Sequence, residues 1–110
     1  MGRIVAAPTA GSCGIVPAAV LTMQEQYKLT ERECVMSLFT ASAVGMVIAN
    51  NASLAGAQGG CQAECGSASA MAAAAIVELA GGDPDMIGSA IATALKNILL
   101  LLASLVFYAW

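Results

Sequence analysis

The chain has 110 residues, with four basic and seven acidic side chains, no histidine and a net charge of −3. Hydrophobic residues make up 59% of it and charged residues 10%, against about 45–50% and about 25% in an average soluble domain. Its length allows one domain at most, and so few basic residues leave no patch to follow a phosphate backbone, which excludes nucleic acid as a partner.

The apolar excess is alanine, accompanied by glycine and serine rather than aromatics. A domain this short buries only a modest share of its surface and needs a polar exterior. Most of this chain is therefore expected to be interior, as the inner piece of a larger protein or as a subunit with extensive partner contacts. The first eight residues carry one arginine and an apolar run too short for the core of a secretory signal. The four cysteines are accordingly expected to be reduced thiols or metal ligands in the cytoplasm.

Residues 6–17, rich in Gly, Pro, Ser and Thr, read as a loop. Pro17 suits the first turn of a helix running to about Tyr27, because its missing N–H has no helical partner there. Thr30-Glu31-Arg32-Glu33 is a capping box, in which the Thr30 hydroxyl takes the Glu33 N–H and the Glu33 carboxylate reaches back. It is expected to open a long helix to about Ala49. Val35, Met36, Leu38, Phe39, Val44, Met46, Val47 and Ile48 surround that helix, which makes it buried or membrane-embedded.

Residues 50–60 read as a second loop, ending in Gly59-Gly60 before Cys61. Residues 61–80 form a third helix built on Ala72 to Ala75, since alanine loses no side-chain entropy in a helix. Gly81-Gly82 stops it. Asp83 then caps and Pro84 starts a fourth helix towards the C-terminus. No strand alternation of useful length occurs, so the fold class is all-α, a helical bundle-like fragment of a larger catalytic domain.

Small residues crowd the third and fourth helices, from Gly66 to Ala70 and at Gly88, Ser89, Ala90 and Ala92. They let helix backbones approach closely, in tight packing or in membrane helix association. The tail 98–110 is uncharged and ends with Tyr108 and Trp110. Spanning needs roughly 20 apolar residues, more than this tail has, so a membrane is not an expected partner.

Three segments carry a resemblance: GRIVAAPTAGSCGIVPA (2–18), NNASLAGAQGGCQAECGSASAMAAAAIVELAGG (50–82) and ALKN (94–97). At that order and spacing they resemble the catalytic domain of iron–sulfur-dependent L-serine dehydratase, the alpha subunit in two-chain forms. The resemblance implies an L-serine ammonia-lyase, which makes pyruvate and ammonia without pyridoxal phosphate, in amino-acid catabolism and gluconeogenesis. It implies a 4Fe-4S cluster on three cysteines, whose open iron acts as a Lewis acid on the substrate hydroxyl. It also implies L-serine as substrate and a beta subunit or a dimer partner.

By this resemblance Cys61 falls on the first cluster cysteine, and Thr9, Ala10, Gly11 and Ser12 on the loop beside the substrate. Backbone N–H groups of such a glycine-containing turn suit a carboxylate. Cys65 falls on a position the family does not need as a ligand. It shares a helix face with Cys61 at i and i+4, which leaves a different metal site open. Cys13 is the other alternative ligand, though its plainer role is a small buried hydrophobe. Cys34 reads as core. Glu64 is the better of two candidate bases, ahead of Glu78, because it lies close to Cys61; a carboxylate so placed more often caps or pairs.

After Asn97 the family continues with a GLVCDPVAG-like segment, and Ala103 stands here where its cysteine is expected. The third ligand would follow Trp110. Residues 1–97 thus read as part of the catalytic domain and 98–110 as a divergent apolar tail. With two of three ligands absent, the chain alone is expected neither to hold a stable cluster nor to turn over serine. A zinc site on Cys13, Cys34, Cys61 and Cys65 is the competing metal reading, although only Cys61 and Cys65 have short spacing. A membrane-associated helical protein is the third reading. Pyridoxal chemistry needs a Schiff-base lysine, and neither Lys28 nor Lys96 lies in a recognisable cofactor setting.

Overall fold

Helix boundaries follow from chemistry at the helix ends. The computed structural model describes residues 2–54 and 56–108, with side chains described as far as Leu99. A 3-10 turn, Ala10–Ser12, precedes α1 (Ile15–Tyr27), α2 (Glu31–Asn51), α3 (Gly56–Leu79) and α4 (Pro84–Tyr108). No strand occurs among the described residues, and the class is all-α as expected.

The capping box at the start of α2 is complete. Thr30 Oγ1 accepts from the Glu33 N–H at 3.3 Å, and Glu33 Oε2 accepts from the Thr30 N–H and hydroxyl at 2.8 Å each. The Thr30 backbone N–H, and then its hydroxyl, hold the Glu33 carboxyl below the usual glutamate range. A depressed folded-state value stabilises above the unfolded value, and that contribution is lost as pH falls through the folded value. Thr30→Ala is expected to lower stability by about 1 kcal/mol, read from urea unfolding at neutral pH. The difference from wild type should narrow in acid, where Glu33 is protonated in both.

Asp83 Oδ1 accepts from the Met86 N–H at 2.9 Å and caps α4, with Pro84 as its first residue. Gly81, at φ 83°, ends α3 while the Gly82 N–H returns to the Val77 carbonyl at 2.8 Å. That left-handed residue closes orphan carbonyls, which is why glycine stands there.

Helix α3 is the hub, packed by α1, α2, α4 and the 3-10 turn. Ala68, Ala70, Ala74 and Ala75 are fully buried on it. Methyl-sized side chains on several faces let three helices approach one. On α2 the buried residues are Cys34, Ser37, Ala41 and Gly45, a single stripe at helical spacing. A Cβ at Gly45 would stand 2.9 Å from Met71 Sδ, so the α2–α3 crossing is close. The core cluster joins Val16 and Val20 of α1 with Cys34 and Ala41 of α2 and Ala68, Met71, Ala72 and Ala75 of α3.

Several expectations change. The stretch 6–17 is not all loop: it holds the 3-10 turn, and α1 starts at Ile15. Helix α2 runs to Asn51 and α3 begins at Gly56, so the loop expected over 50–60 is much shorter. Gly60, at φ 73° and ψ 178°, is non-helical and kinks α3 directly before Cys61, which accounts for the helix start expected there. The apolar surround of α2 is not buried in this chain: Val35, Met36, Leu38, Phe39, Met46 and Val47 are 41–67% exposed. Among the described residues, α2 is the one helix long and apolar enough to cross a membrane, by length and composition only. Beyond Leu99 the side chains of the apolar tail, Ala103 included, lie outside the described residues.

Candidate functional site

Of the residues singled out for chemistry, Thr9, Gly11 and Ser12 meet Glu64 and Cys65 where the N-terminal loop lies on α3; Cys34 and Glu78 lie elsewhere. Thr9 is the N-cap of the 3-10 turn, its hydroxyl oxygen accepting from the Ser12 N–H at 3.3 Å. The same hydroxyl donates to Glu64 Oε1 at 2.9 Å. The Ser12 hydroxyl, fully buried, donates to the Glu64 carbonyl at 3.0 Å. Thr9 Oγ1 and Ser12 Oγ also lie 2.9 Å apart. Two hydroxyl protons serve three short contacts, so the third is a shared one.

Glycine shapes the space around the Glu64 carboxylate. A Cβ built on Gly11 would overlap it, and one built on Gly56 would stand 2.5 Å from Oε2 and 2.7 Å from Cδ. The carboxylate thus occupies a slot between two backbone segments that are 45 residues apart in sequence, Gly11 and Gly56 (56 − 11 = 45). Sequence reasoning placed Gly11 at the site but missed Gly56, whose role comes from a contact made across the fold.

The thiols are placed differently from one another. Cys61 is exposed and follows the Gly60 kink at the start of the helical run 61–79. Cys65, one turn on, is half-buried, and its Sγ donates to the Gly11 carbonyl at 3.9 Å. Cys13 is exposed and turns its Sγ to the same carbonyl at 3.6 Å, at φ 53°. Its plainer expected role, a small buried hydrophobe, is therefore not met, because the residue terminates the 3-10 turn on the surface. Cys34 is 6% exposed, in the core.

Among the described residues no group of three or more His, Cys, Asp or Glu is close enough to hold a metal ion. The four thiols do not form the tetrahedral set that zinc requires. A cluster on three cysteines is likewise not accommodated by the described residues: Cys61 has the right donor chemistry and access, but it stands without the other two.

No ion pair to the Glu64 carboxylate occurs among the described residues. Arg32 lines a groove with Glu33 and Glu78; Glu78 is 14 residues from Glu64 along α3 (78 − 64 = 14), roughly 21 Å at helical rise. The apolar groove of about 380 Å³ between α3 and α4 is lined by Gly66, Leu95 and Ile98 and presents no cation. An anion at the loop would meet backbone N–H groups, among which those of Ala10 and Gly11 make no hydrogen bond within the described residues.

Fold and site together define an all-α protein whose polar chemistry is gathered at one end of its central helix, beside an exposed thiol. The family described as Serine dehydratase alpha chain matches residues 1–102, and the chain belongs to that family. It is 57% identical over 99 residues to the probable L-serine dehydratase, alpha chain, of Bacillus subtilis, covering 90% of this chain and 33% of that protein. It is 50% identical over 99 residues to the L-serine dehydratase, alpha chain, of Peptoniphilus asaccharolyticus, covering 90% and 34%. Similarity to the L-serine dehydratase TdcG of Escherichia coli is 42% identity over 98 residues, covering 87% and 21%. The chain thus spans about a third of the length of the first two of these relatives. No solved structure matches it.

Proposed function

We propose that this chain is the part of an L-serine ammonia-lyase that carries the substrate-carboxylate loop and one cluster thiolate. The carrying observation is the seating of the Thr9–Ser12 loop on Glu64, three residues from Cys61, in a chain of this family. The reaction removes water from L-serine across Cα and Cβ. The resulting aminoacrylate tautomerises and is hydrolysed to pyruvate and ammonia.

In this reading the N–H groups of Ala10 and Gly11, unbonded within the described residues, take the serine carboxylate. Cys61 is one ligand of a 4Fe-4S cluster, and the remaining ligands come from outside the described residues of this chain. The beta subunit or a second catalytic chain completes the assembly, in the cytoplasm, where a reducing environment keeps free thiols such as these four reduced.

Anaerobic reconstitution with iron and sulfide tests this. The chain alone is expected to form no stable 4Fe-4S chromophore and to release no pyruvate from L-serine. The assembled enzyme is expected to do both. Cys61→Ser in that assembly should lower turnover by at least about 100-fold, since even losing a group that merely orients a metal ligand costs up to that much. A brown, active Cys61→Ser enzyme, or serine turnover by the chain alone, overturns the proposal.

A further inference from the structure

We propose that Glu64 is a positioning residue, a latch that fixes the substrate loop and the start of α3 together, and not the base that removes the Cα proton. This rests on the serine ammonia-lyase reading above. It adds a role and a mode of action for a residue that proximity to Cys61 alone marks as a base.

Three observations carry it. First, the carboxylate is engaged: Thr9 donates to Oε1 at 2.9 Å, and Gly11 and Gly56 close on the group from two sides. A base must reach substrate at hydrogen-bond distance, and in this half-buried residue Oε1 is already held by the Thr9 hydroxyl while Oε2 lies against Gly11 and Gly56. Second, both ends of the residue hold the loop, since Ser12 donates to the Glu64 main-chain carbonyl at 3.0 Å. Third, the neighbouring turn repeats the tie, with Cys65 Sγ on the Gly11 carbonyl at 3.9 Å. These contacts join residues 52–55 apart in sequence, so the latch spans two otherwise independent segments.

The donor on the carboxylate is a neutral hydroxyl, and no cation pairs with it among the described residues. The latch therefore uses the shape of the carboxylate and one acceptor oxygen, not its charge. Glutamine supplies both; alanine supplies neither. A base has the opposite requirement, because glutamine cannot take a proton and is as deficient as alanine.

The discriminating set is Glu64→Gln, Glu64→Ala, Thr9→Val and Gly11→Ala in the assembled enzyme, assayed with L-serine across pH. Glu64→Gln is expected to keep kcat and KM within a few-fold of wild type and to leave the acid limb of the kcat profile in place. Glu64→Ala and Thr9→Val should each raise KM about tenfold, the upper end of what losing one ordinary hydrogen bond costs, with kcat little changed. Their combination should add little, because either change opens the same latch. Gly11→Ala keeps the carboxylate but expels it from the slot, and should match Glu64→Ala. If Glu64→Gln instead loses about 100-fold or more in kcat at unchanged KM, as removal of a general base does, the latch is wrong.

A second readout, on the full chain without serine, does not depend on activity. Alkylation of Cys65 should quicken several-fold in Glu64→Ala and Gly11→Ala but not in Glu64→Gln, while buried Cys34 stays slow in all. Cys65 unchanged in Gly11→Ala overturns the latch even if Glu64→Ala fails to fold. Absence of serine turnover in the wild-type assembly, with the Cys65 pattern as expected, would instead remove the lyase reading and leave the latch standing.

Discussion

Gly60→Ala is expected to destabilise the chain by about 1–3 kcal/mol, the cost of holding a side chain in backbone space that only glycine occupies. Gly60 sits at φ 73° and ψ 178° inside α3, and a Cβ there would meet nothing within 4 Å. The penalty is thus torsional, not a collision. Relief would come by straightening α3 through the kink. That would swing residues 56–59 and take Gly56 off the Glu64 carboxylate, shifting the frame in which Cys61 is presented. Urea unfolding measures the first effect, and the alkylation rate of Cys61 in the full chain measures the second. Gly88→Ala is the control: its Cβ also meets open space, with ordinary helical backbone. It should stabilise α4 by up to about 1 kcal/mol through helix propensity. Equal behaviour of the two variants would rule out a glycine-specific kink at position 60.

Ala75→Leu is expected to cost about 3 kcal/mol, at the upper end of what overpacking a filled core does. Ala75 is fully buried on the hub helix, in the cluster that joins α1, α2 and α3. The approach of α2 is already close, with Met71 against the bare Cα of Gly45. Three added carbons have no space without a helix moving. Against a typical total of about 5–15 kcal/mol, that is a large fraction, visible as a lower urea midpoint. A midpoint unchanged from wild type would mean that the alanine faces of α3 are not the packing surface described. Ala80→Leu, exposed past the end of α3, should have little effect.

Local chemistry was the legible part of the sequence. The capping box at Thr30 and Glu33, the Asp83-Pro84 start and the Gly81 stop each involve residues within a few positions, and their partners can be read off the spacing. The double glycine before Cys61 gave a helix start for the same reason, though the helical turn before it at residues 56–59 carries no sequence sign. Composition misled on α2. An apolar surround looks the same whether this chain covers it or something else does, and here Phe39 and Met46 are about two-thirds exposed. At the site, the residue types at Thr9–Ser12, Cys61 and Glu64 were recognisable. Their mutual arrangement was not, because the Thr9–Glu64 bond links positions 55 apart and no periodic pattern encodes such a pair. Gly56 shows this most plainly: its requirement arises from a side chain on another turn, and in the sequence it is one glycine among eleven.

The hydroxyls of Ser37, Ser67 and Ser69 all turn back to carbonyls of their own helices. Thus α2 and α3 meet on surfaces smooth to direction, held by shape alone, while the Thr9–Glu64 corner is riveted by oriented bonds. The seams are therefore specified by close fit, as where Met71 stands against Gly45, and the one corner specified by directed bonds among the described residues is where the N-terminal loop meets α3.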